Sequence, residues 1–526
     1  MRDPHAPRPM PDRSVFMRRI AVAAGLMLIV SASVAVTARD AGISWDESIY
    51  IGFALRYVEW FSHLSGEAFS QDIVTRFWLN GQVHPPLAKL WIAFSMIAFG
   101  TVDLISAARI GAGLLFGLTA AMVYMWTANR RGDATGLMAA AAFVLMPRVF
   151  AHGHFANLEM PMVCLWVAVI FAFERGLHHR GWSVLCGALF GMALLTKINA
   201  VFLPLVLFPW GFLYHGRRAW RNTVCMVAMG PILFLAGWPA MWFAPIRGPW
   251  AYLTDKATRA VIPTFYLGKV YGETGAPFHY PFVMLMATTP ALVLAPAAIR
   301  VVSILRVLRT RWREAEHGML VLLSCLVPIM VLALPIVPKY DGARLMLTAM
   351  PFLAILSAEG AKSIWDALSN PLASPRCVAW VCGIIAGAWL ALPVISFHPF
   401  QLGYYGELVG GPWGAARMGF ETTYWNETLN ADALDWLDKH VPPNGRVALV
   451  AVGSMVWQYY PALGEVREDI RLTDFERGDW DALVIVPRQG MLSEPVREFM
   501  SSREPVWVRR LGPFNAPPVC LIYTRP

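Results

Sequence analysis

Charged residues are scarce in this chain. Aspartate, glutamate, lysine and arginine together make up 15% of its 526 residues, against 57% hydrophobic residues, whereas soluble domains carry about 25% charge. So little charge over such a length excludes a single water-soluble core and predicts a polytopic α-helical membrane protein. Cysteine is also sparse. Of seven in all, Cys164, Cys186, Cys225, Cys325, Cys377 and Cys382 lie in or beside apolar runs, and only Cys520 falls in the polar C-terminal part. That distribution supports neither a disulfide framework nor a zinc site, and the Cys377/Cys382 spacing reads as small residues on an apolar helix. No internal repeat, low-complexity tract or long linker is found. A glycine-rich phosphate loop is also missing, so no nucleotide site is expected. The net charge of +9 is broken into short clusters between apolar runs, where membrane topology explains it and nucleic-acid binding is not expected.

What the chain does have is apolar runs long enough to cross a bilayer. They lie near 20–38, 104–127, 134–151, 159–175, 181–196, 199–214, 223–243, 281–302, 318–337, 344–360 and 378–396, about eleven spans. Arg13, Arg18 and Arg19 precede the first, which lacks a convincing signal-peptide cleavage site and reads as a retained span with a cytoplasmic N-terminus. Residues 85–100 decide the topology. If they lie at the interface or re-enter, the basic connections at 129–133, 174–181, 215–221 and 306–313 all face the cytoplasm, as the positive-inside rule requires. The first outer loop, 39–103, then carries juxtamembrane helices, and residues 1–396 form one membrane domain. Residues 397–526 are more polar. Helical spacing at 430–440 and apolar runs at 446–452, 482–487 and 519–524 predict an α/β domain outside the membrane. The C-terminal domain is expected on the non-cytoplasmic side of the membrane.

This topology gathers ionisable residues on one outer face. They are Asp46, Glu47, His84, Glu159, Lys197, Lys339, Asp341 and Arg344, and such groups at membrane depth are costly and usually mark a pathway or a site. In "ISWDESIY" (43–50), Asp46 is a candidate general base, because burial and neighbours move a carboxyl toward working pH. The other reading is helix capping by Ser44 or Asp46 with Glu47 in the first turn. "HPPLAKLW" (84–91) presents His84 before a proline pair; a proline-started interfacial helix with a snorkelling Lys89 explains it equally. "AHGHFANLEMP" (151–161) holds His152, His154 and Glu159. His-x-His can bind metal, but two ligands need partners and no zinc spacing is present, so no metal is expected. Lys197 has almost no loop around it, and "KYDGARLMLTAMP" (339–351) adds Lys339, Tyr340, Asp341 and Arg344. These cations, with Arg109, suit an anionic group, although each alone could be an interfacial anchor.

Acids and cations on one outer face imply a reaction between a phosphate-bearing lipid and an acceptor with a removable proton. A polyprenyl-phosphate sugar fits: its phosphate would meet Lys197, Arg344 and Arg109, and Asp46 would take the hydroxyl proton. Two other classes compete. A lipid or glycan flippase would show inverted repeats and midplane charges, and a phosphoethanolamine or other phosphoryl transferase would need more metal ligands.

The order "WDESIY", "HPPLAKLW", "AHGHFANLEMP", "LLTKINAVFLP" and "KYDGARLMLTAMP" resembles glycosyltransferase family 39. That group has the GT-C membrane fold and includes the protein O-mannosyltransferases and, more distantly, the lipid A aminoarabinose transferases. The resemblance covers the first 215 residues and, more loosely, 337–351. It implies a metal-independent, inverting transfer from a polyprenyl-phosphate sugar to a glycan, lipid or protein hydroxyl, with no cofactor required. The residue matching Asp46 would be the base, Glu47 would support the site and Glu159 would shape it. Arg109 and Lys197 would lie near the donor phosphate, with Arg344 a looser match. No β-trefoil insertion is evident in 244–280, which disfavours a protein acceptor. The tail from 397 resembles bacterial members with a non-cytoplasmic C-terminal domain.

Overall fold

In a computed structural model, the structure describes residues 12–79, 84–254, 262–272, 275–369, 375–513 and 516–525. The side chain of Cys377 lies outside the described residues; the other six cysteines are free thiols. Among the described residues seven helical stretches are long and apolar enough to cross a membrane. One of them, Ala291–Ala333, is a pair of helices joined at Trp312–Ala315. Several expected spans are shorter than a crossing needs. Asp133–Val144 and Arg180–Leu194 have 12 and 15 residues, whereas about 20 are required, so helix length alone does not support the eleven expected crossings.

The first helix, Arg13–Val36, lies along Leu104–Arg131. Small residues make this approach possible, since backbones close most tightly where side chains are missing. A Cβ on Gly113 would meet Val34, and one on Gly117 would meet the Met27 carbonyl and Ser31. Arg18 and Arg19 pair with Asp133 at the start of the helix Asp133–Val144. Near the same end, Glu359 accepts from Arg131, Arg300 and His317 at 3.0, 2.8 and 2.9 Å, and Glu174 pairs with Arg130 and accepts from Trp126. These buried bonds tie together the helices at one end of the bundle. The segment 85–100 forms the helix Leu87–Ala98 of 12 residues, about 18 Å long and too short to cross alone. It packs on Leu104–Arg131 through Trp91 Nε1 to the Gly111 carbonyl and Ser95 Oγ to the Ala107 carbonyl.

The helix Trp45–Ser62 begins where sequence chemistry dictates. Ser44 accepts from the Glu47 amide and Glu47 accepts from the Ser44 amide, a reciprocal cap that satisfies two otherwise orphan donors. The loop 244–280 holds a short helix, Arg247–Thr254, and a hairpin pairing Thr264–Tyr266 with Lys269–Tyr271. Beyond 396 lies a five-stranded sheet. Arg446–Val450 runs parallel to Arg471–Thr473 on one side and Ala482–Ile485 on the other. Pro518–Thr524 pairs antiparallel with Ala482–Ile485 and carries the edge strand Trp507–Arg510. The three central strands were readable as apolar runs; the two short edge strands, Arg471–Thr473 and Trp507–Arg510, are more exposed and lack that pattern.

Candidate active site

One guanidinium organises a cluster of charged side chains at one end of the bundle. Arg344, at the entry to the helix Met350–Ser369, donates Nε to Glu159 Oε1 at 2.7 Å, Nη1 to Asp341 Oδ2 at 2.9 Å and Nη2 to Asp46. Lys197 Nζ donates to the same Glu159 oxygen at 2.8 Å. Local sequence explains each placement. Asp46 sits in the first turn of a capped helix, and Glu159 opens Glu159–Gly176, where a carboxylate meets the favourable end of the helix dipole. Lys197 stands in extended backbone between two helical segments. Asp341 and Gly342 both take positive φ, 54° and 63°, a tight turn that folds the Asp341 carboxylate back onto Arg344. A Cβ on Gly342 would collide with Arg148 and Tyr424.

The cluster is shielded from water. Glu159, Lys197, Arg344 and Asp341 are 2, 6, 6 and 7% exposed, while the Asp46 side chain keeps 14% of its surface open. Burial lifts the Asp46 carboxyl above its ordinary value, with Glu159 and Asp341 pushing the same way against Arg344. Asp341 is lowered despite its burial, because Arg488 and Arg344 both stabilise its charge. Burial raises the hydroxyl pKa of Tyr340 to about 12, and Tyr340 lies within the field of Asp46 and Arg344. His84 is held well below its ordinary value by burial and by Lys197, Lys89 and Arg344, so it stands neutral beside the cluster. His152 lies edge-on to Trp425 with ring centres 5.1 Å apart.

Four of the sequence-derived site residues do other work. Arg109 is fully buried, with Nε and Nη2 on Glu47 at 2.8 Å and its remaining donors on the carbonyls of Ala38, Ala41 and Gly42. All its donors are engaged, so it holds the loop before Asp46 and is not a phosphate ligand. Glu47 is also fully buried and accepts the Ser44 and Ala156 amides as well; its charge is lowered in pKa by Arg109 against the burial that opposes it. It ties the loop that carries Asp46 to Arg109 and Ala156. Lys339 donates to the Leu334 and Val337 carbonyls, following the helix Glu316–Ala333, where lysine commonly meets orphan carbonyls. His154 is occupied by Thr37 and the Phe150 carbonyl. Among the described residues no group of His, Cys, Asp and Glu has the arrangement of a metal site.

Sequence reasoning missed two members, both beyond residue 396. The Trp425 ring faces the Arg344 guanidinium at 4.6 Å, and its Nε1 donates to Asp341 at 3.1 Å. Arg488 Nη2 donates to Asp341 Oδ1 at 2.7 Å. Trp425 lies within 421–430, "ETTYWNETLN", a polar run buried throughout. That mismatch between composition and burial is visible only in the structure.

Residues 83–242 match the family described as dolichyl-phosphate-mannose-protein mannosyltransferase. No curated protein matches the chain. Among solved structures, ArnT from Cupriavidus metallidurans in the apo state is similar over 97% of this chain and 98% of its own, with a TM-score of 0.52 and 16% identity. The same protein bound to undecaprenyl phosphate matches over the same shares with a TM-score of 0.50 and 15% identity. The Archaeoglobus fulgidus oligosaccharyltransferase matches over 88% of this chain and 69% of its own, with a TM-score of 0.51 and 11% identity. The chain therefore has the GT-C membrane glycosyltransferase fold, and its residues 83–242 resemble the dolichyl-phosphate-mannose-protein mannosyltransferase family.

Proposed function

We propose that this protein is an inverting glycosyltransferase that moves a sugar from a polyprenyl-phosphate donor to a hydroxyl acceptor on the non-cytoplasmic face of a bacterial inner membrane. The observation that carries this reading is the Arg344 hub, which holds one partly exposed carboxylate, Asp46, and shares Glu159 with a second cation, Lys197. Glu159, Asp341 and Asp46 balance Arg344, Lys197 and Arg488 in charge. Arg344 uses three of its five N–H groups on these acids, which leaves two for an incoming phosphate oxygen.

The chemistry follows from that arrangement. Asp46 accepts the proton of the acceptor hydroxyl as its oxygen attacks the anomeric carbon. The bond from that carbon to the phosphate oxygen breaks, and the polyprenyl phosphate leaves with the electron pair. Negative charge grows on the phosphate as it departs, and Lys197 and Arg344 are placed to stabilise it there, in a site with little water to weaken them. Fixed cations supply this charge without a metal, so the reading includes a rate insensitive to chelators. The fold shared with ArnT bound to undecaprenyl phosphate supports a lipid-phosphate donor. The acceptor is a hydroxyl of a glycan, lipid or protein.

Purified protein with a labelled undecaprenyl-phosphate sugar and an envelope extract tests the reading. Release of undecaprenyl phosphate is expected from wild type, and Asp46→Asn should lower it at least about a hundredfold, the lower range for loss of a general base, while donor still binds. Undiminished turnover by Asp46→Asn would remove Asp46 as the base. Because the Asp46 carboxyl is raised, the rate should climb with pH through a value above about 3.9, the ordinary aspartate pKa. A profile flat from pH 4 to 7 would contradict this.

A further inference from the structure

The domain beyond residue 396 touches the candidate site along two lines. One line runs to the loop that presents Asp46. The Gly42 amide donates to the Glu427 carbonyl at 2.8 Å, the Ile43 amide to Tyr460 Oη at 3.0 Å, and Tyr459 Oη donates to the Ser48 carbonyl at 2.9 Å. The other line runs to Arg344 through Asp341. Arg488 takes one oxygen of Asp341, and Arg344 shares the other with Trp425 Nε1. Arg488 is itself 7% exposed and is anchored by a bond from Nη1 to the Tyr424 carbonyl.

This division of the Asp341 carboxylate has a consequence. A buried carboxylate seeks as many charge-assisted donors as geometry allows. With Arg488 in place, Asp341 Oδ1 is occupied, and Arg344 meets Asp341 through a single nitrogen. Its Nε and Nη2 are thereby free to reach Glu159 and Asp46. Without Arg488, Oδ1 would turn to Arg344, which would swing toward a two-point grip on Asp341 and away from Asp46. The Trp425 ring against the guanidinium limits its movement on the C-terminal side.

We propose that the C-terminal domain is a working part of the candidate site, in which Arg488 is a positioning residue that, through Asp341, aims Arg344 at Asp46, Glu159 and the phosphate of a lipid donor. The proposal rests on the lipid-phosphate reading of the site. Arg488 touches neither Asp46 nor Glu159, and it acts only by what it prevents Asp341 from doing.

Full-length protein in detergent, titrated with undecaprenyl phosphate and followed by native mass spectrometry, tests it. Wild type should bind, and Arg488→Gln should bind about tenfold more weakly, within the range by which residues that touch neither ligand modulate coupling. Adding Asp341→Asn to Arg488→Gln removes the competing carboxylate and should restore binding to within about threefold of wild type. A packing defect would not be repaired by a second substitution. Wild-type affinity in Arg488→Gln, or no recovery in the double variant, overturns the proposal. If Arg488→Gln does not fold, the double variant decides: near-wild-type binding supports the coupling and weak binding overturns it. Failure of wild type itself to bind strikes the donor reading, and the proposal falls with it, a result distinct from failure of the variants alone.

Discussion

At the scale of single residues, the site contrasts cations that are fully engaged with cations that retain capacity. Arg109 and Glu47 have side chains 1 and 0% exposed and satisfy one another. Removing one partner of such a pair leaves an uncompensated buried charge and costs about 3–5 kcal/mol. Arg109→Met should therefore lower the thermal unfolding temperature in detergent by several degrees, and an unchanged transition would return Arg109 to the pool of free cations. Lys197 differs, because among the described residues its ammonium donates to Glu159 and carries three donors in all. Lys197→Ala is expected to weaken undecaprenyl-phosphate binding about tenfold, or about 1.4 kcal/mol, with a much smaller effect on the acceptor. Equal donor affinity in variant and wild type would reduce Lys197 to a structural partner of Glu159. Asp46, Glu159 and Lys197 could be nominated from sequence because an ionisable side chain stands out against apolar neighbours. Whether a given cation is free could not, since Arg109 and Lys197 look alike until their partners are known.

At the scale of elements, two short-range features place the site. The reciprocal Ser44–Glu47 cap fixes where the helix Trp45–Ser62 starts, and hence where Asp46 points. Ser44→Ala should cost about 1 kcal/mol and slow transfer more than it weakens donor binding, because it loosens the candidate base, Asp46, and not the cations. An equal loss in both, measured by turnover and titration, would argue against this placement. The cap and the catalytic candidate are compatible in one helix start, so the two readings of "ISWDESIY" did not exclude each other. The second feature is the contact of Arg13–Val36 with Leu104–Arg131. Gly117→Val would drive a branched side chain into the Met27 carbonyl, spread the two helices and lower the unfolding temperature, whereas Gly25→Val, with nothing nearby, should not. Equal stability of the two variants would disprove the close packing. Span limits were less readable than helix existence, because a hydrophobic run is continuous across turns that only backbone geometry defines.

At the scale of the whole molecule, the segment beyond residue 396 is joined to the helices before it through buried polar groups. Burial pushes Glu427 up to about 8 and Glu421 up to about 7, from 4.5. In the unfolded chain both lose their protons near 4.5, while the folded protein keeps them to about 7 or 8. Between those limits the folded state binds more protons, so stability is highest below about pH 4.5 with respect to these groups and falls as pH rises through 7 to 8. The unfolding temperature should therefore decline from pH 5 to pH 8, and Glu427→Gln should flatten part of the slope. A transition that rises over this range, or a slope unaffected by the substitution, would refute the assignment. The same pH rise charges groups packed against the 37–48 loop, since the Glu427 carbonyl holds the Gly42 amide.

The amino-acid sequence by itself determined that this chain enters a membrane as many helices and that residues 446–524 build a sheet on apolar strands, and it nominated Asp46, Glu159, Lys197 and Arg344 as one candidate site. Those conclusions follow from local properties: hydropathy over a span, alternation along a strand, and the cost of charge beside apolar neighbours. Only the tertiary structure decided that Arg344 is shared among Asp46, Glu159 and Asp341, that Arg109 is closed off by Glu47, and that Trp425 and Arg488 come to the site from beyond residue 396. The partners of Arg344 lie 3 to 298 positions away along the chain. The physical reason is that hydropathy acts over neighbouring residues, whereas the saturation of a charged donor is set by whichever acceptors the folded chain brings within hydrogen-bonding distance.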